Sequence, residues 1–434
     1  MDRTEQRILQ AIDQNSDKII GFAKDLYRHP ELSFCEVGTA KKAAGWLRGL
    51  ALPVEEGLAV NGVRARLGEG GPNVCIIGEL DGILCREHPD ADPVTGASHA
   101  CGHHCQLTAL AGAALALSDP QVRAELGGTV TFFAVPAEEY VDEAFKLKLQ
   151  REGKIRFNSG KSELLRIGAF DGIDMALACH VHMVDCESDL LIGNNSSNGW
   201  VGRTITIRGK AAHAAAAPHE GVNALSAASL GLSALGFVRE TFREKDYVRV
   251  HPIMTRGGDA VNVIPDEVVL EMMVRAKTIG AIRDAAAKTD RAFRGAAAAL
   301  GATAEIRGGQ GDMPILYGPP EPAMVEAAAL LGGVSVELTD GSVHTVASTD
   351  LGDLSHRMPI LNFTHGGVTG ALHSADFRVV DEEKAYLMPA RLMALTVYRL
   401  LRGGAKRANE IKAAFRPAFA TAEEYVRAVE ELSR

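Results

Sequence analysis

The sequence predicts an α/β protein: a mostly parallel central sheet carrying helices, interrupted by a smaller inserted α/β block. Three observations carry that reading. Short apolar runs alternate with helix-length amphipathic runs, the pattern of strand–helix crossovers. At 434 residues, the chain is too long for a single core, so two domains are expected. Near residue 197 the pattern changes to a strand-helix-strand-helix block of about 110 residues, the size of a small inserted domain. The predicted boundaries are residues 1–197 and 310–434 for the larger domain and 198–309 for the insert.

Each element has its own justification. Residues 4–28 carry apolar side chains at helical spacing, from Ile8 through Leu26. Pro30 follows, and the residue before a proline resists helix. Residues 39–50 read as a second helix, and residues 62–67 and 73–79 as strands. The run from Gly128 to Pro136 is an apolar buried strand ending in Ala137-Glu138-Glu139. Residues 174–184 form another apolar run and hold Cys179-His180-Val181-His182. In the insert, residues 200–208 alternate like a strand, 223–237 read as helix, 261–276 hold strand pattern, and 279–300 are helical. Beyond it come a helix over 322–331, a strand over 358–363 and a closing helix over 385–401.

Composition excludes some classes. A net charge of −9 argues against a nucleic-acid partner, which usually demands a basic face. Met1-Asp2-Arg3-Thr4-Glu5-Gln6 is polar, so no signal peptide is expected, and no run of about 18 apolar residues exists, so no membrane partner is expected. The 7 cysteines, all between Cys35 and Cys186, do not form a disulfide framework and point to a reducing cytoplasm.

The chemistry centres on Ser98-His99-Ala100-Cys101-Gly102-His103-His104-Cys105-Gln106, between a strand and an Ala-rich helix. Loops beyond strand carboxyl ends are where open α/β sheets bind ligands. A thiolate and an imidazole two residues apart suit a borderline divalent metal. Glu138-Glu139 at the next strand end offers one carboxylate as ligand and one as base, or simply two solvated acids. His180 and His182 share one strand face, and either is a candidate ligand. His373 lies in a glycine-rich loop after a strand. Asp81 ends the strand that feeds the cluster, where it would orient a ligand histidine or cap a turn. His213 alone reads as a surface loop histidine, Cys105, Cys179 and Cys186 as core, and His88 and His99 as loop residues.

Jointly, Asp81, Cys101-Gly102-His103, Glu138-Glu139, His180 and His373 resemble the aminoacylase and carboxypeptidase-G group of metallopeptidases. The resemblance is nearest to the amidohydrolase branch that includes indole-acetyl-amino-acid hydrolases and aminobenzoyl-glutamate hydrolase. It extends to residues 29–33, 209–213, 262–266 and 348–353. It implies a zinc-peptidase-like catalytic domain with an inserted dimerisation domain. It implies Cys101, His103, Glu139, His180 and His373 as metal ligands, Glu138 as general base, and His213 as a histidine reaching the partner subunit's site. Asp81, His104 and Asn262 are then expected to support the ligands or touch substrate. The implied cofactor is manganese, zinc or cobalt, one or two ions per chain, in a homodimer or higher homo-oligomer. The implied reaction is hydrolysis of a C–N bond in a small carboxylate-bearing molecule.

There are departures. Relatives continue the motif as Cys-Gly-His-Asp-x-His, where this chain has His104 and Gln106. The segment between Glu139 and His180 is longer and basic, with Lys161 among its charges. An altered pocket of this kind also suits an aromatic aminohydrolase that releases ammonia from a substituted anthranilate such as nitroanthranilate. A metal-free binding protein and a cysteine-nucleophile hydrolase are the remaining alternatives.

Overall fold

The computed structural model describes residues 1–139, 142–182 and 186–434. The apolar run expected over 174–184 is a strand over Met175–Val181, and residues 183 and 184 lie outside the described residues. Two compact units emerge. The first comprises Met1–Asn195, Leu316–Val343 and Asp353–Ala422; the second comprises Ser196–Ile315, His344–Gly352 and Glu423–Arg434.

The first unit holds an eight-stranded sheet among the described residues. Its four central strands, in the order Thr129–Val135, Asn73–Glu79, Met175–Val181 and Ile360–His365, run parallel. Antiparallel pairing enters at both flanks, through Gly62–Leu67 on one side and Leu190–Ile192 on the other. Every residue of Asn73–Glu79 and Thr129–Val135 is buried, as expected where helices cover both faces. The helix His103–Leu117 is buried along almost its whole length between the strand Asn73–Glu79, the N-terminal helices and the C-terminal helix Met388–Ala414. Small residues permit that approach: a Cβ on Gly112 would meet Ala390 Cβ at 2.7 Å. Phe132 and Phe133 are fully buried in the strand Thr129–Val135, where truncation to alanine costs about 3–5 kcal/mol.

Several local expectations need correction. The single helix expected over 4–28 is two, Arg3–Gln14 and Ser16–Tyr27. The break falls at Asn15, whose side chain donates to the Ala11 carbonyl and so competes with the helical ladder. The closing helix meets non-helical backbone at Arg402–Ala405, where Gly403 and Gly404 take φ of 59° and 73°, before resuming to Ala414.

The second unit is a four-stranded antiparallel sheet, in the order Arg249–Arg256, Glu267–Ala276, Gly199–Arg208 and Thr303–Gly309. The helices Ala224–Val238 and Ile279–Ala299 pack on it and on each other, with Gly231 lying against the Phe293 ring. On the first of these helices Ala228 and Leu235 are buried, whereas Leu230 is 39% exposed. The outer strands Arg249–Arg256 and Thr303–Gly309 escaped the sequence reading because they are edge strands, mostly exposed, with few buried apolar positions to mark them. The unit also takes in residues the sequence reading gave to the larger domain. His344–Thr345 pairs with Ser196–Ser197, and Leu432 of the last helix joins this core. Among the described residues, no helix is long and apolar enough to cross a membrane.

Candidate metal centre

The carboxyl ends of the central strands supply the site. Gly102 starts the helix His103–Leu117 at φ 84°, and a Cβ there would meet Val181 at 2.8 Å. Only glycine combines that conformation with that approach, so it sets Cys101 and His103 over the strand ends. Glu138 and Glu139 follow Ala137, which turns the chain at φ 50°. His180 lies on Met175–Val181, and His373 adopts φ 61° in the loop after Ile360–His365.

These side chains converge. Cys101 Sγ lies 3.6 Å from His180 Nε2 and 3.2 Å from His373 Nε2. His373 Nε2 is 3.1 Å from Glu139 Oε1. One group of ligand atoms, all within 4.8 Å of one another, comes from Cys101, His103 and His180; a second comes from Cys101, Glu139 and His373. Cys101 belongs to both. His103 Nδ1 faces the Asp81 carbonyl at 3.0 Å and Asp81 Oδ1 at 3.1 Å. His180 Nδ1 sits 2.9 Å from the Val181 carbonyl. These acceptors favour a proton on Nδ1 in each ring and turn Nε2 towards the other ligand atoms, the arrangement of a ligand histidine. His103 Nε2 and Glu139 Oε1 are buried with no hydrogen-bond partner among the described residues. Leaving such groups unpaired is costly, and a divalent cation would satisfy both. Thiolate, imidazole and carboxylate together suit zinc or a neighbouring transition metal.

A buried frame ties the ligands together. Asp81 Oδ2 accepts from the Glu139 backbone N–H at 2.9 Å and from Ser33 Oγ at 2.8 Å, so one carboxylate holds both His103 and Glu139. Glu36 Oε1 accepts from the backbone N–H groups of Phe34 and Ala137, each at 2.8 Å, fixing the turn before the glutamate pair. The sequence reading missed Glu36. It also missed Glu79, whose Oε2 lies 3.1 Å from His103 Nε2 and whose Oε1 meets the buried Lys161 Nζ at 2.6 Å.

Electrostatics follow the geometry. Burial lowers His103, but Glu79, Cys101 and Asp81 outweigh it and hold its pKa well above the ordinary value. Burial pushes the Cys101 thiol up, only partly offset by His103. Burial raises Glu139, yet His373 and His103 bring it below the usual carboxylate range. Glu79 falls to about 2 against its burial, because Lys161, His103 and His180 surround it. Raised by burial, the Cys101 thiol shows no sign of the depressed pKa that a cysteine nucleophile needs.

The remaining predicted residues lie as follows. Glu138 Oε2 is 3.9 Å from His103 Nε2, and with Glu79 and His103 it brings ligand atoms within 4.8 Å of one another. His182 stands apart, with Nδ1 on Thr364 Oγ1 and Nε2 on the Ser188 carbonyl, so both nitrogens are occupied. His104 is buried among Tyr27, His99 and Tyr386 and joins neither ligand group. His88 and His99, read as loop residues, are both buried, and Cys186 is partly exposed where a core position was expected. In the second unit, His213 is exposed and bridges Val263, and the Asn262 carbonyl accepts from the Ala214 N–H at 3.0 Å. His213 Nδ1 accepts from the N–H groups of Ala215 and Ala216 at 3.3 and 3.1 Å, which keeps the ring proton on Nε2.

An α/β domain with candidate metal-ligand groups that share one cysteine, in one chain with a separate α/β lobe, points to the class of metal-dependent hydrolases. Comparison with known proteins agrees. Residues 195–299 match the peptidase dimerisation domain of the M20 family. The chain is 30% identical over 305 residues to N-acetylcysteine deacetylase of Bacillus subtilis, a match covering 67% of this chain and 73% of that protein. It is 28% identical to a subunit of the p-aminobenzoyl-glutamate hydrolase of Escherichia coli, over 68% of this chain and 59% of that protein. The structure of a dinuclear metal binding peptidase of the M20 family from Bacillus subtilis superposes with a TM-score of 0.64 at 26% identity, covering 89% of this chain and 98% of that one. A Staphylococcus aureus protein described as an aminohydrolase shares the fold with a TM-score of 0.76 at 22% identity, covering 92% of this chain and 100% of that one. The chain belongs to the M20 peptidase family and is a metal-dependent hydrolase of that family.

Proposed function

We propose that this protein hydrolyses the amide of an N-acyl amino acid or an aminobenzoyl-type amide, as a homodimer in the cytoplasm, with two manganese, zinc or cobalt ions per chain. The observation that carries the reading is the pair of ligand groups sharing Cys101 with Glu138 beside them. Cys101, His103 and His180 would hold one ion, and Cys101, Glu139 and His373 the other. When bound, such ions lower the pKa of water from about 16 to near 7. Glu138, beside the ligand groups, would act as the general base and then as the acid that protonates the leaving nitrogen. Asp81 keeps His103 and the Glu139 backbone in register throughout. His213 acts from the partner subunit: its Nε2–H is a fixed donor for the oxyanion of the attacked carbonyl. Named relatives that act on N-acetylcysteine and p-aminobenzoyl-glutamate support this substrate class.

The test is a screen of N-acyl amino acids, aminobenzoyl amides and substituted anthranilates with added manganese, zinc or cobalt. Amide cleavage without ammonia release is expected. Turnover of a substituted anthranilate with ammonia release, and no amide turnover, would replace this reading with the aromatic aminohydrolase. In the active assay, Glu138→Gln should retain metal and lose roughly 10²–10⁴-fold in kcat. Mixing Glu138→Gln chains with His213→Ala chains should restore activity in mixed dimers; formed but inactive mixed dimers would remove His213 from the mechanism.

A further inference from the structure

We infer that Glu79 is an additional ligand of the ion held by His103, a carboxylate steered into that position by Lys161 and Gln106. The inference rests on the two-ion reading above and adds a residue to it. Glu79 ends the buried strand Asn73–Glu79, and its side chain reaches His103. Its Oε2 lies 3.1 Å from His103 Nε2, near enough for a hydrogen bond, yet His103 Nε2 has no such partner among the described residues. The two atoms are close without being aligned on each other. That is the relation of two neighbouring ligands facing a common third point: bonds of about 2.1 Å to each would subtend about 95°. The same relation recurs at Glu139 Oε1 and His373 Nε2, also 3.1 Å apart, with Glu139 Oε1 again lacking an aligned partner among the described residues. Glu79, His103 and Glu138 in fact bring ligand atoms within 4.8 Å of one another, as the other two groups do.

The surroundings of Glu79 divide its two oxygens. Oε1 is engaged by the Lys161 ammonium at 2.6 Å. Oε2 accepts from Gln106 Nε2 at 2.8 Å and keeps a second lone pair on the His103 side. A carboxylate ligand is commonly fixed in this way by hydrogen bonds from outside the coordination sphere. Lys161 is fully buried and offsets a charge that would otherwise be costly to bury in the strand end. Gln106 and Lys161 are both departures noted in the sequence: the first replaces a histidine of related motifs, the second lies in the longer basic segment. The mechanism above uses neither.

The experiment is a cobalt(II) titration of the full-length protein, followed by visible absorption and by metal content after gel filtration. Three variants are compared with wild type: Glu79→Gln, Lys161→Met, and the double variant, which removes both buried charges together and so protects the fold. Wild type should take up two cobalt ions. Glu79→Gln and the double variant should bind one of them at least about 10-fold more weakly, with an altered absorption band for that ion. Lys161→Met, which keeps the carboxylate but loses one of its two hydrogen bonds, should retain both ions with a smaller loss of affinity. If wild type takes up no cobalt, the two-ion reading itself fails. If wild type takes up two and the Glu79 variants match it in affinity and spectrum, the inference is overturned. Equal weakening in Lys161→Met and Glu79→Gln would also overturn it, because the pair would then be a support and Glu79 no ligand.

Discussion

The two candidate ligand groups that share Cys101 are built differently. On one side, His103 is 1% exposed, set by a helix start and tied to Asp81. On the other, His373 is 48% exposed, in a glycine-rich loop. The inner half draws on the ends of buried strands, which interior packing fixes in place. The outer half draws on a loop, which opens more easily. The inner ligand group is therefore the more firmly held, and the outer one the more open to solvent.

The sharpest way to break that comparison is to remove what both halves share. Cys101→Ala should abolish activity and empty both positions in a metal-content measurement. Loss of a supporting residue costs about 10–100-fold in metal affinity, and loss of a shared ligand should cost more. Retention of one ion at wild-type affinity would show that Cys101 serves a single half.

Asp81→Asn should act more selectively. The carboxylate orients His103 directly but touches the outer half only through the Glu139 backbone. Metal titration should show the inner ion weakened by about 10–100-fold and the outer one less affected. Equal weakening would mean that Asp81 supports the halves alike.

The smallest expected effect concerns Glu36. Burial, with Asp81 adding to it, pushes Glu36 up to about 8. The native state therefore keeps a proton there that an unfolded glutamate has already released, and stability falls as pH rises from the usual carboxylate range towards 8. Glu36→Gln keeps an acceptor for the Phe34 and Ala137 N–H groups and removes that slope. Its Tm relative to wild type should be higher at pH 8 than at pH 5. An equal Tm difference at both values would show that Glu36 is not buried in its protonated form.

Much of this site was legible in the sequence, for a physical reason. Ligands at successive strand ends leave a cysteine, a histidine or a glutamate just where an apolar run stops, as at Glu139 and His180. Asp81 was legible in the same way. Glu79 was not, because it lies inside the apolar run and reads as its acidic end; its role depends on Lys161, 82 positions away. Glu36 was hidden likewise, since its partners Asn61 and Ala137 are distant in sequence. The choice between His180 and His182 needed the third dimension. Both lie on one strand face, and only the pairing of His182 with Thr364 and Ser188 shows which ring is occupied. In the smaller unit the helices were legible from their periodicity. The strand Arg249–Arg256 was not, because Pro252 and its exposed polar residues mask it as loop.

Anomalous diffraction from crystals of the manganese-loaded protein bears on the shared-cysteine centre without any assay. Two peaks are expected, one among Cys101, His103 and His180 and one among Cys101, Glu139 and His373, with Cys101 Sγ touching both. A single peak, or two peaks neither of which contacts Cys101, would contradict the shared-cysteine centre.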